Sequence, residues 1–551
     1  MRKTWLLAGV AVVVLVFAIS AGAPDAQTSG IALTGQVTSA EEGGMEGVLV
    51  SAKRTDAPIT ITVVSDQQGR FRFPAAKLQS GQYVLRIRAV GYDLDGDRTV
   101  TVTPQHTETA DLRLKKTTDL AGQLTNAEWM MSMPGTDAQK RTLLDCASCH
   151  NIYKIVSSRY SAEEFIQVIP RMATYAPGST PLQPERRINT PRPRDPQQLR
   201  ALAEYLASVN LSSGSTWRYQ LKTLPRPTGR AARVIVTEYD LPRRVTEPHD
   251  VILDGAGTAW YTDFGTQVLG QLDPKTGKVT EYQVPTLKPG YANGELDLEI
   301  DKTGNLWMGM MLQGGVAQFD LKTKAFKTWP LPPQWNDSAA QIAMVTPPSS
   351  DGVMWTNDVD KNSAHRLNLK TGQWETFGPL TDGKHNLSIY GLYADSQNNA
   401  YAMDFSVVDG NNVGKIDAKT GAVTFIPTPT KNARLRRGRF DSQDRLWFAE
   451  YAADQIGMYD AKSGRITEWP LPTRWTAPYD VVIDKSSEVW TGSMWSDRIT
   501  RLDTKTGKSV EYLLPRPTNI RRVFVDNSTT PVTFWTGSNH GASIIRLEPA
   551  D

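Results

Sequence analysis

The chain has 551 residues, with 61 basic and 58 acidic side chains, 6 histidines and 2 cysteines, for a formal net charge of +3. Charged residues make up 22% and hydrophobic residues 40%, an ordinary globular balance without the basic surplus that a nucleic-acid partner requires. One hydrophobic core does not normally serve a chain of this length, so several domains are expected.

The N-terminus places Arg2 and Lys3 before an apolar run from Trp5 to Ile19, followed by Ala21-Gly22-Ala23 and Asp25-Ala26. This is the layout of a secretory signal over residues 1–26, with cleavage expected near Ala23 or Ala26. The run is short for a bilayer span, which takes about 20 residues, and an uncleaved anchor is the alternative. No stable transmembrane segment is expected after cleavage, and the mature chain is expected in the periplasm or outside the cell.

Residues 31–116 alternate apolar and polar in short runs such as Val48-Leu49-Val50-Ser51-Ala52, Phe71-Arg72-Phe73 and Tyr83-Val84-Leu85-Arg86-Ile87. Gly and Asp punctuate them, which predicts a small β-sandwich. The set Gly35-Gln36-Val37, Gly47-Val48, Ser65-Asp66, Gly69-Arg70-Phe71, Gly81-Gln82-Tyr83 and Gly91-Tyr92 resembles the carboxypeptidase regulatory-like domain. The resemblance implies a transthyretin-like accessory module for scaffolding or docking, with carbohydrate binding as the other role found in that family.

Residues 118–212 read as helical. A helix is expected from Thr136 to Asp145, Ser161 with Glu164 forms a capping box before Phe165-Ile166-Gln167-Val168-Ile169, and Asp195-Pro196 starts a helix carrying Leu199, Leu202, Ala203 and Leu206. Between the first two lie both cysteines, in Cys146-Ala147-Ser148-Cys149-His150. Two thiols three positions apart can each form a thioether to a haem vinyl group, with the next His as proximal iron ligand, so covalent haem c is the expected cofactor. A zinc site would need a second ligand pair nearby, a thioredoxin pair would follow a strand and open a helix, and a structural disulfide is the third alternative. The helix order resembles the small cytochrome c domain.

That family commonly supplies a Met as the sixth iron ligand shortly before its last helix, yet residues 173–194 contain neither Met nor His. Met172 is the candidate, with Met130, Met131 and Met133 as poorer ones and an open or His-filled position also left standing. Arg186, Arg187, Arg192 and Arg194, and later Arg218, Lys222, Arg226 and Arg230, read as solvated linker charge, with a docking patch for an acidic redox partner as the other reading.

From 234 to 551 the chain repeats. An aromatic recurs at Trp260, Trp307, Trp355, Tyr401, Trp447, Trp490 and Trp535, at intervals between 43 and 48. Turns of one type recur with it, as in Asp273-Pro274-Lys275-Thr276-Gly277 and Asp503-Thr504-Lys505-Thr506-Gly507. A period in the mid-forties with short strands is that of a β-propeller blade, so seven blades are expected. The last repeat stops without an outer strand, and Val236-Thr237-Glu238-Tyr239-Asp240 supplies one with no blade of its own, so the first strand is expected to complete blade seven.

Leu446-Trp447-Phe448-Ala449-Glu450 with Gln455-Ile456-Gly457, and Ala259-Trp260-Tyr261-Thr262-Asp263 with Val268-Leu269-Gly270, resemble the streptogramin (virginiamycin B) lyase propellers. The resemblance implies metal-assisted elimination by an acidic metal ligand and a His near the axis. Glu450 matches the acidic position, while Arg436, Arg437 and Tyr451 stand where a His is sought. In the repeat register, the residue three past each aromatic is Asp263, Met310, Asp358, Asp404, Glu450, Ser493 or Ser538. The carboxylates among them are candidate Mg²⁺ or Ca²⁺ ligands at the axial mouth, unless they bond backbone amides or Arg436, Arg437 and Arg521. His249 and His540 are the weaker catalytic candidates.

The expected fold is multidomain and mainly β: a transthyretin-like sandwich and a seven-bladed propeller, with a small all-α cytochrome c domain between them. The expected function is haem-mediated electron transfer to a redox partner protein or a membrane electron-transfer chain, coupled to a propeller that binds a small molecule, a glycan or a protein. A metal-dependent lyase with an accessory haem domain and a non-catalytic binding scaffold are the alternatives.

Overall fold

A computed structural model describes residues 30–189, 193–212 and 214–550. The expected secretory signal and Arg192 lie outside them. Among the described residues, no helix is long and apolar enough to cross a membrane.

The N-terminal domain is a two-sheet sandwich. One sheet is built around strand Ile31–Ser39, which pairs with Leu112–Lys116 on one side and with Arg70–Pro74 on the other. The second runs Ile59–Val64, Leu49–Arg54, Gly81–Arg88, Arg98–Val102. The alternation turns Val37, Val50, Phe71, Phe73, Tyr83 and Leu85 into a shared core. Gly35 has a structural reason: a Cβ there would lie 2.0 Å from the Ala110 carbonyl oxygen. The aromatic rings of the quoted motifs, Phe71, Phe73, Tyr83 and Tyr92, are all buried, so none offers a stacking face to a sugar.

Seven four-stranded antiparallel sheets follow, starting with Pro248–Leu253 and ending with Ile520–Asp526, Thr533–Ser538, Ser543–Pro549 and, as outermost strand of the seventh, Val234–Asp240. The seam pairs Val236 with Leu547 and Glu238 with Ile545. The same strand pairs on its other edge with the sandwich, Val236 with Thr62 and Glu238 with Thr60. One sheet of eight strands therefore crosses the domain boundary. The ion pairs Lys53–Asp240 (2.6 Å) and Lys77–Glu548 (2.7 Å) reinforce it.

The repeating aromatic has a repeating partner. The indole N–H of Trp260, Trp307, Trp447 and Trp490 donates at 2.8–2.9 Å to the carboxylate of Asp254, Asp301, Asp441 and Asp484, respectively. Each of those aspartates also accepts amides of its own turn. A buried indole is thereby satisfied while it packs, as a fully desolvated N–H must be. The turn glycines Gly277, Gly372, Gly421, Gly464 and Gly507 lie at φ between 69° and 73°, a region costly to residues with a Cβ.

The intervening segment forms six short helices: α1 (Leu120–Gln123), α2 (Asn126–Ser132), α3 (Asp137–Arg141), α4 (Tyr153–Val156), α5 (Ala162–Ala173) and α6 (Pro196–Val209). The capping box of Ser161 and Glu164 opens α5, and Asp195 accepts from the Gln197 and Gln198 amides to open α6. Among the linker cations, Arg226 is not simply solvated. Arg226 forks onto Glu42 of the sandwich (2.5 and 3.2 Å) and donates to the Glu46 carbonyl (2.9 Å).

Candidate functional site

The motif sits in a tight turn. Helix α3 ends at Arg141, short of the expected Asp145, because the chain tightens: the amides of Leu143, Leu144 and Cys146 donate to the carbonyls three residues before them, at 3.0, 3.2 and 2.8 Å. A 3₁₀ turn then carries Cys146–Ser148. Both thiols are free and half-buried. Burial pushes Cys146 up to about 12 and Cys149 to about 11, so both are protonated near neutrality. His150 donates Nδ1–H to the Asn151 carbonyl at 3.0 Å, which leaves Nε2 without a hydrogen bond.

This turn rests on the mouth of the propeller, and the propeller holds its carbonyls. Tyr451 Oη donates to Leu144 O (2.7 Å), Asn519 Nδ2 to Ala147 O (3.1 Å), and both Arg521 Nη2 (3.0 Å) and His540 Nε2 (3.2 Å) to Ser148 O. Arg434 pairs with Asp145 at 2.9 Å, and the Ala127 amide at the start of α2 donates to the Trp495 carbonyl at 2.9 Å. The mouth expected to receive a ligand is thus covered by the chain's own helical segment.

Beneath the turn, the axis is lined by residues that the repeat register did not single out. The first strand of each blade slips register against the second. The slips lie between Pro248 and Asp250, Leu296 and Glu299, Ile342 and Val345, Ile389 and Leu392, Leu435 and Gly438, Pro478 and Val481, and Ile520 and Val523. Such bulges re-aim side chains. The deeper layer is a closed ion network. Arg437 meets Asp250 at 2.7 Å, Arg522 meets Asp297 at 2.8 Å and Glu299 at 2.9 Å, and Arg439 meets Asp480 at 3.5 Å. Burial works against the Asp250 carboxylate, but Arg437, His249 and Arg522 hold it well below the usual range.

The upper layer holds a hydrogen-bonded chain. His249 Nδ1 bonds Asp250, His249 Nε2 lies 2.9 Å from Tyr479 Oη, and Tyr479 shares a short hydrogen bond with Tyr390. Burial pushes His249 down to about 3, so its ring is neutral. Arg436 has no carboxylate partner. Its guanidinium stands 3.9 Å over the Tyr479 ring and 4.7 Å from those of Tyr390, Phe405 and Tyr451, and it donates to Met494 Sδ at 3.4 Å.

The carboxylates three past the blade aromatics end their strands, but they do not converge. Asp263 accepts from Arg243, Thr266 and the amides of Glu247 and Gly265. Asp358 accepts from the amides of Gln341, Asp360 and Lys361. Asp404 accepts from Ser406 and His385. Glu450 is fully buried with neither oxygen bonded, and burial, helped by Glu468, pushes it up to about 9. Of the arginines set against them as partners, Arg437 and Arg521 bond elsewhere. Among the described residues, no three of His, Cys, Asp and Glu are grouped so as to hold a metal ion.

Met172, at the end of α5, is 40% exposed, whereas Met130 and Met133 are in the core. The Arg187 amide donates to the Thr174 carbonyl, and the next residue, Ile188, is 54% exposed. Arg187 and Arg194 lie close enough to Cys149 and Cys146 to favour their thiolates, and Arg187 also reaches Asp360 at 3.7 Å.

Residues 32–115 match the carboxypeptidase regulatory-like domain and residues 392–542 the virginiamycin B lyase family. Fold and matches together define the class: a virginiamycin B lyase-like β-propeller joined to a carboxypeptidase regulatory-like sandwich. Among solved structures, the chain is similar to virginiamycin B lyase from Staphylococcus aureus, at 20% identity over 57% of this chain and 99% of that one, with a TM-score of 0.49. It is also similar to a streptogramin B lyase, at 20% identity over 58% and 99%, with a TM-score of 0.50. At this identity the likeness is one of fold. No curated protein matches the chain.

Proposed function

We propose that the protein is a secreted c-type cytochrome whose haem is attached at Cys146 and Cys149 and whose propeller serves as the base that holds the haem-binding turn. The observation that carries this reading is the donor set: two free thiols three positions apart, followed by a His whose Nδ1 is fixed by a carbonyl and whose Nε2 is open. A carbonyl bond at one ring nitrogen is the usual way to aim the other at a metal. Met172, whose side chain is exposed, is the chain's candidate for a second iron ligand. When bound, haem supplies reversible one-electron transfer at iron. The chain's own residues set its surroundings: Ala147 and the covering propeller exclude water from one side of the turn, and Arg187, Arg194 and Arg521 place positive charge beside it.

The lyase reading has less support. The axial mouth is covered, Glu450 faces the interior of its blade, and His249 is buried against Asp250 and Tyr479. Expression in a host that attaches c-type haem, followed by a pyridine haemochrome assay, tests the proposal. A c-type haemochrome in the native chain that is lost in Cys146→Ser with Cys149→Ser supports it. A native chain without covalent haem, secreted and folded under those conditions, overturns it.

A further inference from the structure

The two layers of the propeller axis differ in charge balance. In the deeper layer Arg437, Arg439 and Arg522 face Asp250, Asp297, Asp480 and Glu299. In the upper layer Arg436 (6% exposed) and Arg521 (2% exposed) have no carboxylate within ion-pair distance. A buried guanidinium without a counter-charge is costly, so a second anion is called for where these two meet. What they meet is Tyr479, with Arg436 at 3.9 Å and Arg521 at 5.3 Å from its ring. Around that phenol stand Tyr390 from blade four, Arg436 and Arg437 from blade five, Arg521 from blade seven and the His249-Asp250 pair from blade one, and the buried Glu247, just before blade one, interacts with the charge of Arg521. Tyr390 O–H aims at its oxygen, while the neutral His249, its Nδ1–H on Asp250, presents Nε2 to it as an acceptor. From Tyr479 the path to the haem-binding turn is short, because Arg521 donates to Ser148 O at 3.0 Å.

We propose that Tyr479 is a proton-binding site coupled to the redox state of the haem motif. Resting on the cytochrome reading above, the coupling works through charge. In the haem-loaded chain, uptake of one electron from a one-electron donor would lower the charge at the motif by one, and the Tyr479 phenolate would take up one proton from solvent to become a neutral phenol. Oxidation reverses both transfers. Burial opposes ionisation of Tyr479, yet Arg436, Arg437 and Arg521, with the bond to Tyr390, bring it below its ordinary value. By thermodynamic reciprocity, a proton that binds more tightly to the reduced form makes reduction easier at lower pH.

The test is a redox titration of the haem-loaded, full-length chain at a series of pH values, preceded by the haemochrome assay. The native midpoint potential is expected to fall as pH rises from neutrality toward the ordinary tyrosine range. The expected change is about tenfold in the reduction equilibrium, equivalent to about 59 mV for one electron. Tyr479→Phe is expected to flatten that segment while keeping any slope due to haem carboxylates, and Tyr390→Phe, which removes a donor to the phenolate, to move it to higher pH. Where Tyr479→Phe is not secreted, ultraviolet phenolate absorbance of the native chain, recorded oxidised and reduced at one alkaline pH, replaces it. Loss of phenolate on reduction supports the coupling. A negative haemochrome overturns the cytochrome reading. A positive one with identical profiles in the native and Tyr479→Phe chains, or with phenolate absorbance unmoved by reduction, overturns the coupling alone.

Discussion

The Arg521 guanidinium donates to the carbonyl oxygen of Ser148 at 3.0 Å, joining the seventh propeller blade to the turn that carries both cysteines. The contact spans most of the chain's length and is partly buried, so the turn's shape depends on a domain made long after it. Replacing Arg521 with Met leaves His540 as the one propeller donor on Ser148 O and leaves the Asn519 side-chain oxygen unpartnered. An unsatisfied buried group costs about 1–3 kcal/mol. The expected result is a lower thermal midpoint with faster proteolysis at residues 142–150; a variant as protected there as the native chain would show that the bond contributes nothing.

Arg437 is the hub of the deeper axial network, fully buried between Asp250 and Asp297. Arg437→Met leaves Asp250 and Asp297 to share Arg522 as their remaining arginine, and breaking a buried pair in this way costs about 3–5 kcal/mol. We expect the largest single loss of stability in the propeller, read as a drop in the denaturant midpoint, whereas the Lys361→Met change at the exposed Lys361–Asp337 pair should cost under about 1 kcal/mol.

Glu450 makes stability depend on alkaline pH. Its carboxyl is raised to about 9 by burial and by Glu468, above its unfolded value of 4.5. The native state therefore holds a proton that the unfolded chain releases, and the contribution is complete below 4.5 and lost as pH rises toward 9. Glu450→Gln, which keeps the shape without the titration, should flatten that decline in thermal midpoint. An unchanged slope in the variant would assign it to another group.

Strand Ile59–Val64 lies between Leu49–Arg54 and the propeller strand Val234–Asp240. Thr60→Pro removes a ladder donor there and cannot be accommodated in a central strand. The expected outcome is a sandwich that detaches from the ring, seen as rapid cleavage around residues 117–119 and a larger hydrodynamic radius. A compact, protease-resistant variant would mean that the linker contacts of Arg226 suffice to hold the domains together.

Much of this architecture was legible in the residues. Four of the blade tryptophans, Trp260, Trp307, Trp447 and Trp490, each bond an aspartate six positions earlier, and the turn glycines repeat because each needs a positive φ; such obligations leave marks in sequence. The axial side chains leave none. They sit in bulges, and the residues found there run from Ala343 to Arg436, so only the backbone register reveals that they share a place. The same limit explains why Asp263, Asp358 and Asp404 looked like converging ligands: a repeat identifies equivalent positions and says nothing of which way they face. Helix α3 was overextended because the pattern through Asp145 suits a helix, whereas docking of the Leu144 and Ala147 carbonyls onto Tyr451 and Asn519 favours a tighter turn.

The eight-stranded sheet also bears on how the ring is assembled. Strand Val234–Asp240 is synthesised before any complete blade, and the sandwich that receives its outer edge is synthesised earlier still. Domains fold as they emerge, N-terminal first. When Ser543–Pro549 finally leaves the ribosome or translocon, its partner is already mounted on a finished surface and presents a single free edge in fixed register. Closure then resembles fastening a strap to an anchored buckle, and the loose-ended ring that invites pairing with a neighbouring chain exists only until the last strand arrives.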